Sequence, residues 1–131
     1  MEIDPNLQIV FWLYITDITL LLLHEIESAY WREWEILKLP GRISGFVLLH
    51  VPVVPLMLIG VGLIAAGSVA GLWFAIVFGV IGLFPLIIHG FAVRTINRFN
   101  LFVSVAILWS NASVGAALLV IAALRIAEAN A

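Results

Sequence analysis

Cysteine is absent from the 131-residue chain, which excludes disulfides, thiolate metal ligands and cysteine nucleophiles. Charge is scarce as well: only 11% of residues are Asp, Glu, Lys or Arg, against 64% hydrophobic. With a mean hydropathy of +1.20, the chain cannot form the polar skin of a water-soluble domain, and most of its surface is expected to face lipid. The six Lys and Arg are scattered and the formal charge is -2, so a basic face for nucleic acid is excluded. Alternating strand patterns are missing, which leaves helices as the way to satisfy the backbone in hydrocarbon. No Gly-x-Ser-x-Gly elbow, phosphate-cradling loop or nicotinamide fingerprint occurs, and serine hydrolysis and nucleotide chemistry are disfavoured accordingly. The start of the chain lacks the basic residues and cleavage site of a secretory signal, so the first apolar segment is expected to be retained as an anchor.

What is present is a series of four apolar runs, each of the length that crosses about 30 Å of hydrocarbon. They predict an all-α, polytopic membrane protein, an up-and-down four-transmembrane-helix bundle with a long first helix. A single domain over residues 1–131 is expected, with helices at about 7–38, 43–66, 71–91 and 99–126. Pro40 and Gly41 end the first, Gly67 and Ser68 turn between the second and third, and Arg94 to Arg98 turn between the third and fourth. Such short connections favour antiparallel neighbours. Arg32, Lys38 and Arg42 flank the first connection and Arg94 and Arg98 the third, so this side is expected to be cytoplasmic. Both termini are then expected outside, with Arg125 the one basic residue against the rule.

The ionisable groups gather in one stretch, His24 to Glu35. Charge within a membrane helix is costly and asks for a reason. His24, His50 and His89 sit on the first three helices. His50 lies roughly 12 Å beyond Arg42 at helical rise and His89 roughly 7 Å before Arg94, so both fall in the cytoplasmic half, where His24 also approaches. At about 100° per residue, Asp17, His24, Ser28, Trp31 and Glu35 share a stripe of the first helix, with Glu27 about 60° to one side. His24 and Glu27, three residues apart, can point to a common ligand. The expected metal set is His24, Glu27, His50 and His89, which suits Zn or Fe; Glu25 and Glu27 are the candidate catalytic acids. Arg32, Glu33 and Trp34 are supporting groups: Arg32 is expected to pair with Glu25, while Glu33 is expected to point away from His24 toward lipid headgroups, a neighbouring chain or the loops. Tyr30, Trp31 and Trp34 read as an interfacial aromatic belt, and Asn111 as interhelical glue. A metal-free hydrogen-bonded network of the same side chains is the alternative.

The string Leu23-His24-Glu25-Ile26-Glu27-Ser28-Ala29, followed by Glu33-Trp34, then Leu49-His50-Val51-Pro52 and His89, resembles a group of small uncharacterised bacterial four-helix membrane proteins. Their pattern is His-Glu-x-Asp/Glu-Ala, Glu-Trp, Leu-His-x-Pro and a late His. Ser28 stands here where Ala is usual. The chain resembles less closely the membrane proteins named for a His-x-x-Glu-Glu motif, with Ser28 in place of the second acid. The resemblance supports the site residues and implies no particular reaction.

Three functions are compatible with this constellation. The leading one is a membrane-embedded enzyme, metal-dependent or not, acting on a lipid-like or small hydrophobic substrate in the cytoplasmic half of the bundle. The rivals are a proton, ion or small-solute transport protein and a non-catalytic subunit of a larger membrane complex. Four short helices enclose little volume, which leaves room for a homo-oligomer in each case.

Overall fold

The computed structural model describes residues 5–92 and 101–130. Among them are five helices: α1 (Pro5–Trp31), α2 (Glu33–Ile36), α3 (Arg42–Ala65), α4 (Val69–Ala92) and α5 (Phe102–Ala129). No strand occurs among the described residues. α1, α3, α4 and α5 are each long and apolar enough to cross a membrane. The expected turn at Arg94 to Arg98 lies outside the described residues.

α1 is the organising helix and packs against α3, α4 and α5. Val10, Tyr14, Ile18 and Leu21 recur at helical spacing on its inner face and are buried with Met57, Ile64, Phe78 and Leu118 of its neighbours. Where side chains face out, they are overwhelmingly apolar, as lipid contact demands. The exposed hydroxyls of Thr16 and Thr19 bond back to the carbonyls of Trp12 (2.8 Å) and Ile15 (2.7 Å), which removes an unpaired donor from the hydrocarbon. α3 is the outlying member, with only 17% of its apolar window buried. Its far end turns on Gly67, whose φ of 68° is left-handed. Ser68 then closes the turn, donating to Leu63 O at 3.0 Å and accepting from Gly71 N at 3.1 Å.

α4 and α5 share the most extensive helix interface. Missing side chains make it possible. A Cβ on Gly79 would meet Gly115 O at 2.8 Å, and one on Gly115 would meet Gly79 O at 2.7 Å, so the two backbones touch as small-residue membrane interfaces do. Asp17, fully buried, is held against this contact by Gly82 and Gly115. Asn111, with its amide nitrogen toward α1, donates to Asp17 Oδ1 at 3.0 Å and to Asp17 O at 3.2 Å. The expected role of Asn111 as glue between helices thus has a specific partner, the deepest acid of α1.

The first helix departs from the expected span of about 7–38. It breaks at Arg32, which takes left-handed angles (φ 57°, ψ 49°), and restarts as the single turn of α2. Lys38, Gly41 and Arg42 are left-handed too. This linker therefore contains three non-glycine residues in a conformation that costs about 1–2 kcal/mol each, and its path folds α2 back against the bundle beside α3.

Candidate metal centre

The break at Arg32 decides the site. Continued at about 100° per residue, α1 would carry Glu33 away from His24; the restart re-aims it inward instead. Glu33 is buried with His24 and His89, and each of the three offers one ligand atom within 4.8 Å of the others. Glu33 Oε1 is 3.3 Å from His89 Nε2. The rings of His24 and His89 meet edge to face with centroids 5.0 Å apart. The expectation that Glu33 points to headgroups or loops is therefore overturned, because a left-handed residue reverses the helical phase that the expectation assumed.

Ser28 ties the group together, one turn after His24 on the same face. Its hydroxyl lies 3.4 Å from His24 Nε2 and bonds the Glu33 carboxylate as well. Burial pushes the Glu33 carboxyl up, but hydrogen bonds from His89 and Ser28 and the neighbouring imidazoles outweigh it and hold the group below its ordinary value. The carboxylate is thus kept ionised, the form that binds a metal. Two imidazoles and one carboxylate are the donor set of catalytic zinc centres and of non-haem iron sites. Three protein ligands also leave positions open to water or substrate, unlike a closed structural site.

His50 is placed elsewhere. Its Nδ1 donates to Phe46 O at 2.7 Å, which leaves Nε2 to face Glu25 Oε2 at 2.9 Å. With Nδ1–H committed to a carbonyl, two acceptors would confront each other across that contact unless a proton lies between them. Glu25 and His50 therefore form a proton-sharing pair, and both nitrogens of His50 are engaged away from the triad. Contrary to the pairing expected from angle alone, Glu25 bonds His50 and not Arg32, and Arg32 pairs with Glu35 at 2.5 Å.

Glu27 also stands apart from the triad. It accepts a hydrogen bond from Ser104 of α5 and one from Trp31 Nε1 at 3.4 Å, so it links α1 to α5. Trp34 is buried against Phe46, with ring centroids 5.6 Å apart, rather than lying in an interfacial belt, because α2 turns inward. Tyr30 keeps the exposed position that the belt predicts.

A cavity of about 150 Å³ joins the two groups. His24 and Glu33 of the triad line it together with Glu25 and His50. The remainder of its wall is apolar, including Leu21, Leu49 and Phe84.

These features define a class: a helical-bundle protein with four segments able to cross a membrane and a buried His/Glu triad able to hold a metal ion. The chain belongs to the DUF6713 family, a family of unknown function, whose model matches residues 10–125. No curated protein and no solved structure matches it.

Proposed function

We propose that this protein is a metal-dependent membrane enzyme, with Zn or Fe held by His24, Glu33 and His89 and a lipid-like substrate admitted to the adjoining cavity. One observation carries the reading: a single cavity is lined both by two ligands of the triad and by the Glu25–His50 pair. A metal bound there would supply a Lewis acid for a substrate oxygen or an activated water. The protein's own residues do the rest. Phe46 O fixes the His50 tautomer, and the proton shared with Glu25 is positioned to be given to, or received from, a group entering the cavity. Ser28 orients His24 and Glu33, and the apolar walls exclude water, which strengthens every polar contact inside. In this reading the protein lies in a bacterial inner membrane with both termini outside, and draws its substrate from the bilayer.

The test is elemental analysis of protein purified without chelator. About one Zn or Fe per chain is expected. His24→Ala, Glu33→Gln and His89→Ala should each lose it, whereas Glu27→Gln should keep it. Metal content that is absent in the wild type, or the same in all four variants, overturns the proposal.

A further inference from the structure

The polar cavity does not end at its apolar wall. On α3, Leu49, Val53 and Leu56 follow one another at helical spacing, and on α4 Val77, Ile81 and Phe84 do the same. Together they line a trough between the two helices. Ile81 belongs to both the 150 Å³ polar cavity and a second hollow of about 300 Å³, whose lining is wholly apolar and reaches Trp73. From Pro85 beside the polar cavity to Trp73 at the far end is about 18 Å along α4 at helical rise. Leu49, Leu56, Val77 and Phe84 are exposed, so the trough is open sideways along its length.

We infer that this trough between α3 and α4 binds a single long-chain acyl group whose oxygen-bearing anionic head sits between the His24/Glu33/His89 centre and the Glu25–His50 pair. The inference rests on the metal-centre reading and names its substrate class. Charge selects the head. With neutral imidazoles, a divalent ion and the Glu33 carboxylate leave one net positive charge. A carboxylate head restores neutrality in a site where an uncompensated charge is expensive. Shape selects one chain, because the trough follows one groove between two helices. Continuity selects the direction, because Ile81, common to both hollows, lies where the head would join the tail.

The experiment is photolabelling of the metal-loaded protein in nanodiscs with a diazirine-bearing palmitic acid, with metal content measured on the same sample. Labelling is expected to saturate and to fall on peptides of α3 and α4 that line the trough. Unlabelled palmitic acid should compete and hexadecane should not. Val77→Trp and Leu56→Trp, which fill the trough without touching the polar groups, should cut labelling at least tenfold and leave metal content unchanged. His50→Ala should weaken it through the head. Labelling that does not saturate, or that is equal in Val77→Trp and Leu56→Trp, identifies ordinary annular lipid and overturns the assignment. Absence of metal from the wild-type sample overturns the metal-centre reading, which is a separate readout from the saturation curve.

Discussion

Glu33 Oε1 of α2 lies 3.3 Å from His89 Nε2 of α4, a contact made beyond the point where the chain breaks its helical phase at Arg32. The carboxylate that completes the triad is therefore supplied by α2, a single helical turn, and its aim depends on one left-handed residue. Backbone strain of this kind is stored where the surroundings over-determine it, often at functional sites.

Arg32→Gly should keep the site and remove the left-handed penalty, raising thermal stability by about 1 kcal/mol. Arg32→Val cannot adopt the angles cheaply, since its branched side chain resists positive φ. It is expected to swing Glu33 out and weaken metal binding by at least tenfold. Melting curves and metal titration of the two variants check the pair; equal affinity in Arg32→Val would show that the linker does not set the site.

A bound metal stabilises the folded form through mass action, by about 2.7 kcal/mol at a free metal concentration of 100 Kd. Chelation should therefore lower the melting temperature of the wild type. In Glu33→Gln the same treatment should change nothing, because a ligand is already missing.

Ser28 touches two of the three ligands, and partners of this kind fix the orientation of the imidazole and carboxylate they bond. Ser28→Ala is expected to reduce metal affinity about 10–100-fold with the helical content unchanged. Titration monitored beside circular dichroism separates this from unfolding.

At the opposite end of the design, Gly115→Ala drives a methyl into Gly79 O at 2.7 Å and should destabilise the bundle by about 1–3 kcal/mol. Gly62→Ala meets nothing within 4 Å and should be neutral or raise stability by up to about 1 kcal/mol. Unfolding in detergent distinguishes the two substitutions.

Asn111→Ala leaves the buried Asp17 without its donor, at a cost of about 1–3 kcal/mol. In a double-mutant cycle with Asp17→Ala the two effects should be strongly non-additive, since they act on one contact.

Much of this architecture is legible in the amino-acid order. Apolar runs long enough to cross hydrocarbon specify helices, because no other open structure satisfies its backbone there, and their short links favour sequential packing. The shared depth of His24 and His89 also follows from residue counting, since rise per residue is constant while a helix persists. Which acid meets them does not follow. Angular reasoning holds only within an unbroken helix, and α1 ends at Trp31, before Arg32 and well short of the expected stop at Lys38. Beyond that break the phase is set by the packing of α2 against α3, which no periodicity in α1 encodes. Tertiary contacts likewise took Glu27 to Ser104 and His50 to Glu25, since a side chain on a helix face bonds whichever neighbour the bundle presents. The sequence alone thus determined that four helices bring imidazoles and carboxylates into an apolar setting. Only the folded packing decided that His24, Glu33 and His89 share one site, because coordination depends on directions that linear spacing loses at a left-handed turn.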